Sequence, residues 1–204
     1  VSRRSGVLEL AVLGLLADTP MHGYELRKRL NAVLGSFRAF SYGSLYPCLK
    51  ELVHRGWLAE DTAAADGRPT NRRSRIVYKL TADGKEALQD LLAEAGPSAW
   101  EDENFGVHFA LFAQTDAETR MRILEGRRNR LEERLDGVRS VLGRTRERLD
   151  SYTLELQRHG LESVEREVRW LNELINAERA GTTATPEITN QRDATDPSVH
   201  PVSK

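Results

Sequence analysis

The sequence predicts a mainly α fold: an N-terminal winged helix-turn-helix with a two-stranded wing, then a C-terminal half of long helices suited to coiled-coil dimerisation. Three observations carry that prediction. Between Met21 and Leu80, two amphipathic helical patterns precede two short strand patterns. The loop joining the strands places Arg68, Arg72, Arg73 and Arg75 within eight residues. From Asp116 onward, apolar residues recur every seven positions.

Each element has its own signal. Val7–Ala17 is apolar nearly all round, so a first helix here must be covered on most sides. Asp18-Thr19-Pro20 ends it. A second helix, His22–Leu34, sets Leu26, Leu30, Val33 and Leu34 on one face, and Gly35 stops it. A third runs from the Ser41–Ser44 region to Arg55, with Leu45, Leu49, Leu52 and Val53 as its core face. Pro47 favours Ser44 as the N-cap, because proline is comfortable only in a first turn. Trp57-Leu58-Ala59 begins a strand, and Arg75–Leu80 alternates like its half-buried partner. Thr81 caps a fourth helix bearing Leu88, Leu91 and Leu92, which Gly96-Pro97 ends.

The second half reads as helix throughout. Phe105, Phe109 and Phe112 share a face, and Thr115 with Glu118 forms a capping box. Leu124, Leu131, Val138, Thr145 and Tyr152 then hold one seam position. Arg128, Leu135, Leu142, Leu149 and Leu156 hold its partner. Unbroken from Asp116 to Arg158, this helix would be about 64 Å long. His159-Gly160 is expected to break it, before a last helix with Leu161, Val164, Val168, Leu171 and Ile175 at the same spacing. The expected organisation is a reader domain over 1–95, a linker over 96–104, a helical dimerisation domain over 105–180 and a disordered tail over 181–204.

Composition narrows the function classes. The 204 residues are 39% hydrophobic and 30% charged, with 30 Lys+Arg against 31 Asp+Glu. Residues 1–95 hold 14 basic against 11 acidic residues, and the remainder 16 against 20. That tilt places the positive surface in the first half. The apolar first helix is interrupted by Glu9 and falls short of the ~20 residues a membrane span needs. It leads into patterned helix without a cleavage pattern, so neither leader nor membrane contact is expected. A lone cysteine, Cys48, forms no internal disulfide and fits a cytoplasmic setting. Its expected role is a small buried hydrophobe. The five histidines fall at no metal-ligand spacing, and no nucleophile elbow, P-loop or dinucleotide fingerprint occurs. Neither enzyme activity, metal nor cofactor is expected.

Double-stranded DNA is the partner that the first half suits. With its leucines facing the core, the third helix leaves Tyr42, Ser44, Tyr46 and Lys50 for phosphates and base edges. Arg68, Arg72, Arg73 and Arg75 offer forked cations to the backbone or minor groove. For the second half, Leu131, Leu135, Val138, Leu142, Leu149, Leu156, Val164, Val168, Leu171 and Ile175 are the candidate seam of a homodimer. An intramolecular antiparallel packing of the same helices is the alternative, and both combine in a four-helix arrangement. Trp100, Phe105, Phe109 and Trp170 are candidates for a small-molecule pocket, with core packing as the competing role. A coiled-coil adaptor whose winged helix binds protein is the competing function.

These residues also carry a resemblance. H-G-Y-E-L in the second helix resembles the PadR family of transcriptional regulators. So do G-S-L-Y-P-x-L-x-x-L-x-x-x-G-W-L in the third and R-x-V-Y-x-L-T-x-x-G-x-x-A-L in the returning strand and fourth helix. The likeness covers roughly residues 7–95, and the long helical second half is similar in architecture to the larger PadR subgroup. It implies a homodimeric repressor on a partly palindromic operator, released in some members by a small, often aromatic, molecule. It also implies that Tyr42, Gly43, Ser44 and Tyr46 face DNA, with Gly43 allowing close backbone approach. Arg68, Arg72 and Arg73 match the basic wing in character. Trp57 stands where a smaller apolar residue is usual, and the wing loop is long and begins acidic.

Overall fold

The structure, a computed structural model, describes residues 3–35, 42–61, 76–145 and 150–181. Its N-terminal part is built on α1 (Arg3–Asp18), whose residues Val7 to Leu16 are all buried. Around it pack α2 (Gly23–Leu34), α3 (Tyr42–His54) and α4 (Ala82–Ala93). Leu26 and Leu30 of α2, Leu45, Leu49 and Leu52 of α3, and Leu88 and Leu92 of α4 complete this core. These are the leucines that helical spacing assigns to the inner faces; Val33, assigned with them, is 43% exposed instead.

The sheet has one strand more than the sequence predicts. β2 (Leu58–Asp61) and β3 (Val77–Leu80) form the antiparallel wing pair, with Leu58 opposite Leu80 and Asp61 opposite Val77. β1 (Met21–His22) adds to the other edge of β3, giving the order β1-β3-β2. Two residues are too few to show alternation, so β1 leaves no sequence pattern. The wing loop with Arg68, Arg72, Arg73 and Arg75, like the tail from residue 182, lies outside the described residues.

The start of α3 differs from expectation. The helix opens at Tyr42, so Ser44 is inside it and is not its N-cap. Pro47 is therefore the sixth helical residue, where it removes one main-chain donor from the ladder. The far end follows the expected stop. Gly56 adopts φ +75°, its N–H donates to the Val53 carbonyl and the Trp57 N–H to that of Leu52. That pair of hydrogen bonds is the left-handed closure glycine makes most readily.

The C-terminal half is an antiparallel pair of helices, α6 (Ala117–Thr145) and α7 (Ser151–Arg179). Ion pairs Arg120–Glu178 at one end and Arg139–Glu165 towards the other fix the direction. This revises two expectations. His159-Gly160 lies inside α7, and the chain turns back earlier, between Thr145 and Asp150. Asp150 caps α7, its carboxylate accepting from the N–H groups of Tyr152 and Thr153. Each helix is 29 residues, or about 44 Å at ~1.5 Å per residue. The N-cap of α6 is Asp116, which accepts from the Thr119 N–H, whereas the Thr115 hydroxyl donates to the Leu111 carbonyl.

Between the halves lies α5 (Asp102–Ala110), which serves both cores. Val107, with Leu111 just beyond its end, packs into the N-terminal core. Phe105 and Phe109 pack with Ile123, Leu124, Leu171 and Ile175 in a second core. His108 on the same helix is 7% exposed, and burial pushes its imidazole down to about 4. The fold therefore keeps the ring neutral, while the unfolded chain takes up a proton near pH ~6.5. This stability is full above about pH 6.5 and is lost as pH falls towards ~4, by about 3 kcal/mol. The unfolding free energy of the wild type relative to His108→Gln should fall by that amount between about pH 7 and ~4. A pH-independent difference contradicts it.

Candidate nucleic-acid interface

The inner face of α3 is sealed: Leu45, Leu49 and Leu52 are fully buried and Cys48 nearly so. Burial pushes the Cys48 thiol up to about 12, with Glu9 adding to the effect, so it stays protonated and serves as packing. On the opposite side Gly43, Pro47, Lys50 and His54 are exposed, spaced four and three apart along one stripe. Ser44 is exposed beside it. Of the predicted α3 contacts, Gly43, Ser44 and Lys50 thus share the outward face, and Tyr42 opens the helix.

Tyr46 is placed differently. It is half-buried, packs against the N-terminal core, and its ring sits 3.3 Å from where a Cβ on Gly23 would lie. Gly23 thus lets the start of α2 approach α3 closely, and Tyr46 is used largely for that junction. Pro47 is the stripe residue that sequence reasoning passed over. Its helical position was the missing information, because taking Ser44 as the cap put Pro47 in the first turn.

Two contacts hold α3 to its surroundings. Arg55, just beyond its end, donates to Glu9 of α1 at 3.0 Å and to Glu51 at 2.8 Å, and lies over the Trp57 ring at 5.2 Å. Trp57 is therefore accommodated as a platform for Arg55. Thr81 caps α4 by accepting from the Gly84 N–H, and its hydroxyl donates to the Gly56 and Trp57 carbonyls. One threonine thus ties the α3 terminus to the wing and to α4.

The aromatic candidates pack on one another. Trp170 of α7 meets Phe109 at 5.1 Å and Phe105 at 6.3 Å between ring centroids, and Phe105 lies 5.8 Å from Phe109. Trp100 stacks against Gly126 of α6, so this glycine makes room for an indole in mid-helix. The cavities described lie elsewhere along α6 and α7; the larger, about 310 Å3, is lined by Arg139, Leu142, Gly143, Leu154, Arg158 and Leu161.

Of the candidate seam, Leu131, Leu135, Leu171 and Ile175 are buried within one chain, between α6 and α7. The intramolecular packing claims them without a second copy. Val138, Leu142, Val164 and Val168 are half-covered, and Leu156 is 67% exposed. Leu149 lies outside the described residues. Among the described residues no group of His, Cys, Asp and Glu could hold a metal ion, and no helix is long and apolar enough to cross a membrane.

Residues 12–90 match the transcriptional regulator PadR-like family. The chain carries a PadR-like domain. Negative transcriptional regulator PadR of Bacillus subtilis (strain 168) is 31% identical over 91 residues, 45% of this chain and 48% of that protein. The chain thus spans about half the length of that relative. Among solved structures, Bacillus subtilis PadR in complex with operator DNA is 21% identical, with 84% of this chain and 99% of that one covered and a TM-score of 0.42. The same protein in complex with p-coumaric acid is 20% identical, with 85% and 99% covered and a TM-score of 0.40. The PadR-like domain ends at α4, so α5, α6 and α7 lie beyond the matched residues.

Proposed function

We propose that the chain is a sequence-specific, DNA-binding transcriptional regulator, a repressor acting as a homodimer on a partly palindromic operator. The observation that carries this reading is the outward stripe of α3. Its residues Gly43, Pro47 and Lys50, with Ser44 beside them, are exposed while every leucine of the helix is sealed away. A helix held this way can enter the major groove, its small residues allowing close approach and Lys50 reaching a guanine edge or a phosphate. The arginines of the wing loop would grip the backbone beside it.

In this reading the PadR-like domain reads DNA and the helices from α5 onward pair the chains. Leu156 with Val141 and Tyr152, all exposed, leaves apolar surface on α6 and α7 for a second copy. An aromatic effector completes the proposal. It would act among Trp100, Phe105, Phe109 and Trp170, where it would have to displace a ring from its packing.

A footprint over the promoter of the protein's own gene tests the reading, paired with sedimentation of Leu156→Asp. Two protected half-sites of dyad symmetry, about 34 Å apart, are expected. Leu156→Asp should sediment as a folded monomer and protect neither half-site at concentrations where the wild type protects both. A wild-type monomer, or a footprint without dyad symmetry, contradicts the homodimer; no protection at all contradicts DNA binding.

A further inference from the structure

α1 touches both the reading helix and the helices beyond the PadR-like domain, on different sides and at defined points. At Gly14 it receives the end of α5: a Cβ on Gly14 would sit 2.5 Å from the Leu111 side chain, which would have to shift to admit it. The Gln114 side-chain amide donates to the Gly14 carbonyl at 3.3 Å. At Glu9 it holds α3, through the 3.0 Å ion pair with Arg55. Glu9 is 5% exposed, a carboxylate set in an otherwise apolar helix face. The two positions lie about 7.5 Å apart along the axis and about 140° apart around it. On the far side of α5, Phe105 and Phe109 pack against Trp170 of α7.

We propose that α1 couples the C-terminal helices to α3, bearing on α5 at Gly14 and on α3 through the Glu9–Arg55 pair, with Arg55 as the positioning residue. A packed interior does not absorb a shift of α5 locally, because its neighbours are in contact on every side. Displacing Leu111 or Gln114 moves α1, and the ion pair carries that movement to the end of α3. The consequence for regulation rests on α3 being the DNA-reading helix; the coupling itself does not.

A thermodynamic cycle read by amide hydrogen exchange tests it in the full chain without DNA. Gln114→Ala should raise exchange at the main-chain amides of Leu52 to Arg55 by about threefold or more. In a Glu9→Gln background the same change should add nothing at those amides, while its effect on global unfolding persists. Gly14→Ala, a stronger push on Leu111, should behave alike; Gln114→Ala, which introduces no clash, decides if Gly14→Ala fails to fold. Equal increments in both backgrounds, or no increment in either, overturn the proposal. Duplex affinity of the same variants should follow the exchange pattern. If the wild type binds no duplex, the DNA reading of α3 falls and the exchange cycle still decides the coupling.

Discussion

Arg127→Ala is expected to lower the stability of the protein by about 3 kcal/mol. Arg127 lies in α6 with its side chain 7% exposed, yet it is a cation with no help from bulk water. Its guanidinium donates to Glu167 of α7 at 2.9 Å, to the Trp100 carbonyl at 3.1 Å and to Asp102 at the start of α5. It also lies over the Phe105 ring at 5.3 Å. One side chain thereby joins the turn at Pro97–Trp100, α5, α6 and α7. Hydrogen bonds to charged groups contribute about 1.5–3 kcal/mol each, and a buried pair broken on one side costs about 3–5 kcal/mol. Asp102 is 65% and Glu167 31% exposed, so water reclaims part of their charge and the lower end of that range applies. Arg127→Lys should recover less than half, because a point charge cannot serve three acceptors in a fork geometry. Denaturant unfolding measures both; a loss under about 1 kcal/mol would mean that the network is not what holds α5 to α6 and α7.

Gly84→Ala should cost a similar amount for a different reason. Gly84 sits in the first turn of α4, and a Cβ there would overlap the Trp57 main-chain carbonyl oxygen. Main chain cannot step aside as the end of a flexible side chain can. Overpacking costs about 1–3 kcal/mol even where side chains can adjust, so about 3 kcal/mol is expected here. That corresponds to a fall in Tm of roughly 6–12 °C for a chain of this size. The displaced group is the carbonyl that accepts from Thr81, so the change should also loosen the wing from α4. A Tm within ~2 °C of the wild type would show that α4 moves aside freely.

Much of the N-terminal part was legible from spacing alone, because α2, α3 and α4 each show one wet and one dry face. Leu26, Leu30, Leu45, Leu49 and Leu52 are buried where periodicity put them. What escaped was set by main chain or by partners distant in sequence. Met21–His22 became a strand through pairing with β3, which a two-residue pattern cannot announce. The turn between α6 and α7 was misplaced because antiparallel helices share one heptad rhythm, and that rhythm does not say where the chain doubles back. Asp150 was the available signal, an N-cap residue passed over in favour of the glycine at 160. Arg127 carried no signal: only folding brings Glu167, Asp102 and the Trp100 carbonyl around it. Gly84 and Gly126 were visible as glycines, but the close approaches that require them depend on contacts with Trp57 and Trp100.

Whether the outer stripe of α3 meets a duplex is decided by titrating salt against binding of the full chain to operator-containing DNA. Wild-type affinity should fall steeply, with a log–log slope near −0.9 for each phosphate neutralised, about −5 for six contacts. Lys50→Ala should keep its fold and bind with a slope shallower by about 0.9 if its ammonium meets a phosphate. Arg72→Ala combined with Arg73→Ala should remove about twice that. Background affinity in low salt, or slopes that ignore all three substitutions, would mean that α3 and the wing face something other than DNA.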